Sequence, residues 1–179
     1  MISRRGLLIA GLAAPLIRPL QAQGAWPEMT PVADFDWSYL ADTVMGGVSE
    51  GQARIEDGAL RLTGRVSTAN RGGFIQARTG MPDGLPAGVT ALRLRVRGNG
   101  ERYFVHLRTV RTRLPWQYYQ QGFETGTDWA EVLLPLSGFL PSGRMMAGAV
   151  RPGEVRSIGL VAYGRDHVAD VSLSALGAL

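Results

Sequence analysis

The amino-acid sequence predicts an all-β domain, either a sandwich or a barrel. Three observations carry this. Eight or nine short runs alternate apolar and polar residues, as half-buried strands do, with turn residues between them. Glycine makes up 24 of 179 residues, nearly twice the roughly 7% average, and 10 prolines add to the turns. Beyond Ala22 nothing repeats apolar residues at the 3.6-residue spacing of a long helix.

The chain opens on Ser3-Arg4-Arg5-Gly6-Leu7-Leu8, an arginine pair directly ahead of an apolar run from Gly6 to Ile17. Those 12 residues fall short of the roughly 20 a membrane-spanning helix needs. A charged start, a short apolar middle and a small-residue end are the parts of a secretory signal. The arginine pair gives it the twin-arginine form, and the late positive charge of Arg18 suits that route. Residues 1–22 are expected to be a cleaved export signal, with Gly24 or Ala25 as alternative cleavage sites. An ordinary secretory signal would lead to the same periplasmic destination. Residues 23–31 read as a Gly- and Pro-containing linker, and residues 32–179 as one domain that does not span a membrane in its mature form.

Arg4, Arg5 and Arg18 leave with the signal. The balance of 19 basic to 15 acidic residues then becomes 16 to 15, a net charge of +1, which gives no footing for a nucleic-acid partner. All the basic residues are arginine. Cysteine is absent, which excludes disulfides, thiolate chemistry and thiolate metal sites.

Within the domain, Gln52 to Glu56 and Ala59 to Val66 flank Asp57-Gly58, a strong short-range hairpin signal. Gly73 to Arg78 reads as the next strand. Ala91 to Arg97 alternates without a break, turns at Gly98-Asn99-Gly100, and Tyr103 to Arg108 returns. Gln117 to Phe123 and Trp129 to Leu134 follow, with a loop or a short helical turn expected over 136–152. Val155 to Tyr163 and Val168 to Leu176 close the chain around Gly164-Arg165-Asp166.

Catalytic signatures are missing. His106 and His167 each stand alone, without a second ligand-type residue at metal spacing, and His106 reads as a structural or solvated strand residue. There is no Gly-x-Ser-x-Gly elbow, His-Glu-x-x-His or phosphate loop, and the acids are scattered singly. No catalytic residue, metal site or cofactor is expected.

The stretch Asp42-Thr43-Val44-Met45-Gly46-Gly47-Val48-Ser49-Glu50-Gly51 has two readings. It is a tight loop held by its own side chains, or a loop whose exposed amides line a ligand site. Asn70-Arg71-Gly72-Gly73-Phe74 repeats the theme. These residues carry a resemblance. Trp37, Asp42-x-x-Met45-Gly46-Gly47-Val48-Ser49-x-Gly51, Asn70-x-Gly72-Gly73-Phe74 and Arg78 resemble the opening signature of the complex I intermediate-associated protein family. Leu94-x-Val96-x-Gly98-x-Gly100-x-x-Tyr103, Tyr119, Phe123, Trp129, Pro135 and Phe139 continue the match. The resemblance implies a galactose-binding-like jelly-roll sandwich and a non-enzymatic role, best known as assembly of NADH:ubiquinone oxidoreductase. In mitochondria that role lies on the matrix side, whereas the export signal directs this chain to the opposite face. The resemblance therefore bears chiefly on the fold and on the character of a binding module.

Two more features suggest a recognition surface. Arg93, Arg95 and Arg97 share one face of their strand, and Arg78 and Arg108 on neighbouring strands would extend it. This is either a solvated face neutralised by acids such as Glu101 and Glu131, or a groove for an acidic glycan, a phospholipid headgroup or an acidic protein surface. Trp116, beside Pro115, reads as an exposed platform for a sugar ring or a partner protein, whereas Trp129 reads as core. Of Tyr118 and Tyr119, alternation sends one inside and one outside. The expected binding surface joins Asp42, Met45, Gly46, Gly47, Ser49 and Asn70 to Arg78 and Arg95, with Trp116 at its rim. Its expected partner is a protein complex, or a glycan or other anionic ligand.

Overall fold

The Asp57-Gly58 pair closes the hairpin it announces. Both residues take positive φ, 50° and 74°, which matches the right-handed twist of the flanking strands. Those strands, β3 (Glu50–Glu56) and β4 (Ala59–Val66), begin a first sheet. It continues through β12 (His167–Ala178), β6 (Ala91–Gly98) and β9 (Ala130–Pro135), with the two-residue β1 (Thr30–Pro31) bridging onto β12. A second sheet runs β10 (Leu140–Pro141), β8 (Tyr119–Glu124), β7 (Arg102–Thr109), β11 (Val155–Tyr163), β5 (Phe74–Gly80) and β2 (Trp37–Ala41). Every pairing is antiparallel. The result is a jelly-roll-like β-sandwich.

This computed structural model describes residues 29–143, 146 and 148–179. The expected export signal, 1–22, and most of the expected linker lie outside the described residues. The end of the linker is corrected: Thr30 and Pro31 pair with Leu176 and Ala175, so the domain begins before residue 32. No helix among the described residues is long and apolar enough to cross a membrane.

The alternation read from the sequence becomes the core. Leu60, Leu62, Leu92, Leu94, Val96, Val171 and Leu173 face inward from the first sheet. Ile75, Ala77, Tyr103, Val105, Leu107, Ile158 and Leu160 meet them from the second. Each such Leu, Ile or Val side chain contributes about 1.5–3 kcal/mol by leaving water. Tyr119 is buried and Tyr118 faces out, as the alternation requires.

Two turns do more than reverse the chain. Gly98-Asn99-Gly100 carries it from the first sheet to the second, so β6 and β7 do not pair. At this corner Tyr103 donates its hydroxyl proton to Asn99 Oδ1 at 2.7 Å and accepts from the Asp170 N–H at 2.8 Å. Burial pushes its phenol up to about 12. Gly164-Arg165-Asp166 makes the return crossing between β11 and β12. β2 escapes a period-two reading because Tyr39 and Leu40 are adjacent and both partly apolar. Its place is fixed instead by pairing, from Trp37 opposite Thr79 to Ala41 opposite Ile75.

Candidate functional site

Asp42 follows the end of β2 and is fully buried. Its carboxylate accepts the Ser49 N–H at 2.9 Å and the Ser49 hydroxyl at 2.5 Å. It also accepts the Gly73 N–H at 2.5 Å and the Phe74 N–H at 3.2 Å. Burial pushes its pKa up, but the hydrogen bonds from Ser49, Gly73 and Phe74 outweigh burial and the net shift is downward. The glycines of the two loops follow from this knot. A Cβ on Gly47 or on Gly72 would overlap the Asp42 carboxyl group. The loop 42–49 is therefore held by its own side chains, and Asp42, Gly47 and Ser49 lie inside it. Its tip is different in character: Val44, Met45 and Val48 are exposed, and Gly46 turns the chain at φ 90°. Asn70 and Arg71, on the adjoining turn, both take positive φ, 56° and 62°.

The outer face of the second sheet carries a different arrangement. Cross-strand register places Ser38, Arg78, Gly159, His106, Gln120 and Leu140 in one row. The adjacent row holds Leu40, Gln76, Val161, Phe104 and Gly122. Tyr118 folds back over this face and stacks on His106, with ring centroids 3.9 Å apart and planes 9° from parallel. Tyr163 meets both rings edge-on at 5.7 and 6.4 Å, and Phe104 meets Tyr163 at 5.9 Å. Phe104, Tyr118 and Tyr163 thus form one continuous, half-buried aromatic surface laid over the His106 ring. Under this cover His106 is 9% exposed, and burial pushes its imidazole down to about 3. It is neutral at neutral pH.

Beside these rings lies a recess of about 560 Å³, lined by Asp36, Ser38, Arg78, Arg108, Arg156 and Ser157 among others. The Arg108 guanidinium donates to the carbonyls of Thr112, Leu114 and Pro115, which rivets the loop ahead of β8. Trp116, 63% exposed, stands on that loop at the rim of the face. Burial lowers the Arg108 pKa, and the neighbouring Arg78 charge adds to the effect.

The expected binding surface is only partly assembled. Arg78 and Trp116 share the outer side of the second sheet. Met45, Gly46 and Asn70 are exposed at the loops beyond its β2–β5 edge, while Asp42, Gly47 and Ser49 are buried. Arg95 is corrected outright: it lies on the outer face of the first sheet, across the sandwich from Arg78. Arg78 and Arg108 therefore do not extend the Arg93, Arg95, Arg97 row. In that row Arg93 pairs with Glu131, while Arg95 and Arg97 lie over Trp129 at 5.9 and 4.8 Å. Trp129 is accordingly a half-exposed platform on the first sheet and not core. Glu101 serves Arg165 and not the row. The sequence reading missed Phe104, Gln76, Gln120 and Tyr163 as surface residues. Their signal was the polar or aromatic residue recurring at every second position opposite the buried set.

Among the described residues, no three His, Asp or Glu side chains lie together as a metal site.

A profile for complex I intermediate-associated protein 30 matches residues 28–174. The chain belongs to that family. No curated protein matches it significantly in sequence. Among solved structures, this family member is similar to the family 11 carbohydrate-binding module of the cellulosomal cellulase Lic26A-Cel5E of Clostridium thermocellum. The TM-score is 0.67 at 13% identity, over 87% of this chain and 96% of that one. The Clostridium thermocellum family 11 module described in complex with a β-1,3-1,4-mixed-linked tetrasaccharide gives 0.66 at 14% identity, over 87% and 98%. A low-affinity xylan-binding module from Roseburia intestinalis gives 0.51 at 11% identity, over 87% and 96%. At these identities the likeness establishes the fold that the family member shares with them.

Proposed function

We infer that this protein is a non-catalytic binding module, and that the outer face of its second sheet takes a glycan. The observation that carries this reading is the continuous surface of Phe104, Tyr118 and Tyr163, backed by the buried His106 ring and bordered by Gln76, Gln120 and Arg78. A sugar ring has an apolar C–H face and a rim of hydroxyls. Aromatic rings suit the first, and amides and a guanidinium suit the second. The Clostridium thermocellum module that shares this fold was described with an oligosaccharide bound, which supports the same class of ligand here. In this reading the protein works in the periplasm, where the expected export signal would deliver it.

The test is an array of neutral, uronate-bearing and sulfated glycans probed with the protein and with its Tyr118→Ala variant. Binding to a defined set of glycans that the variant loses is expected. No binding to any glycan, with a correctly folded protein, would overturn the reading.

A second reading rests on the exposed Val44, Met45 and Val48 of the loop 42–49. Together with family membership they favour contact with a protein partner, as an assembly factor requires. Met45→Glu should then abolish co-purification with a membrane complex and leave glycan binding intact.

A further inference from the structure

The two outer faces of the sandwich each contain a hollow, and their charges are handled differently. On the first sheet a recess of about 530 Å³ is lined by Arg61 and Arg65 together with Glu56 and Asp170. Arg61 bonds both acids, with Asp170 at 2.9 Å and Glu56 at 3.3 Å. That hollow is internally neutralised. The recess on the second sheet is not. Arg78, Arg108 and Arg156 line it, and none of them has a carboxylate within salt-bridge distance among the described residues. Arg108 is satisfied by three backbone carbonyls, and Arg156 by those of Gly153 and Val155. The Arg78 guanidinium has no hydrogen-bond partner among the described residues. The strand between Arg78 and Arg108 places Gly159 and Ser157 opposite them, so the ground between the two cations is low. Adjacent strands lie about 4.8 Å apart, which sets β5 and β7 nearly 10 Å apart, room for a planar or tetrahedral oxyanion between them.

We propose that this recess seats an oxyanion carried by a sugar, a carboxylate or a sulfate ester, so that the glycan taken by the aromatic face is an acidic one. The proposal rests on the reading of that face as a glycan surface. The His106–Tyr118 stack and the recess share the row of Arg78, Gly159 and His106. A sugar seated on the rings therefore has its neighbour, or its own substituent, over the guanidiniums. Arginine presents a planar fork of donors that pairs with such groups bidentately. Three guanidiniums face the single carboxylate of Asp36 in this recess, and a bound anion relieves the repulsion that remains.

The array described above separates the outcomes. Its uronate arm carries oligogalacturonates and alginate oligosaccharides, its sulfate arm sulfated galactans, and its neutral arm cello-, xylo- and mixed-linkage gluco-oligosaccharides. Binding confined to the uronate or sulfate arm supports the proposal and says which oxyanion is taken. Binding confined to the neutral arm, or equal across the arms, overturns it and leaves the glycan reading standing. No binding anywhere overturns both. Titration calorimetry then compares the tightest acidic glycan with its carboxyl-reduced or desulfated counterpart. The acidic form should bind at least tenfold tighter and weaken as salt rises. Arg78→Ala should cost the acidic form about tenfold or more beyond whatever it costs the neutral form, the worth of roughly one charge-assisted hydrogen bond. Asp36→Asn removes the one carboxylate lining the recess and should tighten acidic binding only. An acid-to-neutral ratio that Arg78→Ala leaves unchanged would end the proposal.

Discussion

Replacing Asp42 by alanine tests what holds the two glycine-rich loops together. The substitution strands three backbone donors, the N–H groups of Ser49, Gly73 and Phe74, in a site with no solvent exposure. Each orphaned buried donor costs about 1–3 kcal/mol. The Phe74 bond is long at 3.2 Å and contributes least, and water entering the vacated volume recovers part of the rest. The expected loss is therefore about 4 kcal/mol. In a domain of this size 1 kcal/mol moves Tm by roughly 2–4 °C, so a fall on the order of 10 °C should follow. Urea unfolding followed by tryptophan fluorescence, with calorimetry alongside, measures both. Asp42→Asn should lose a similar amount, because its amide sets donors against donors. The wild type should also carry a pH signature. The Asp42 pKa is depressed on folding, so its contribution is fully present above 3.8 and is lost as pH falls through the lower folded value. The Asn variant should lack that acid limb. An Asp42→Ala protein within 1 kcal/mol of wild type, at unchanged m-value, would refute the account of the knot.

Two other outcomes are expected. His106 is held neutral by burial, so between pH 6.5 and about 3 the unfolded chain takes up a proton that the native site refuses. Stability should fall by about 1.4 kcal/mol per pH unit across that window from this residue, and His106→Gln should flatten the slope. A ring titration by NMR with a midpoint near 6.5 would contradict it. Arg71 sits at φ 62° with its side chain exposed, so Arg71→Gly should raise stability by up to about 1 kcal/mol. A loss of more than 1 kcal/mol in the same urea experiment would show that its side chain has another role.

Much of the fold was legible because a strand half in water writes its geometry into every second residue. Leu92, Leu94 and Val96 are buried and Arg93, Arg95 and Arg97 are not, as the alternation required. Sheet membership was not legible. Gly98-Asn99-Gly100 looks like any hairpin turn, yet it is a corner between layers: β6 pairs with β12 and β9, β7 with β11 and β8, and Tyr103 ties the corner to Asn99 and Asp170. The same limit scattered the candidate site. Nothing local to Arg78 or Arg95 says that their strands belong to different sheets with the core between their faces; pairing partners far along the chain decide it. Asp42 misled for a related reason. A carboxylate beside two glycines reads equally as a ligand group or as a buried acceptor, and the deciding donors, Gly73 and Phe74, lie some thirty residues away.

The knot around Asp42 also separates kinship from specificity. Much of the opening motif by which the chain is recognisable ties loops together, and Tyr103, Tyr119 and Phe123 fill the interior. The side chains that would greet a ligand, apart from Arg78, stand outside that motif. Proteins that share it are thus bound to a common architecture and free to differ in what they hold, and each one's cargo must be read from its own outer sheet.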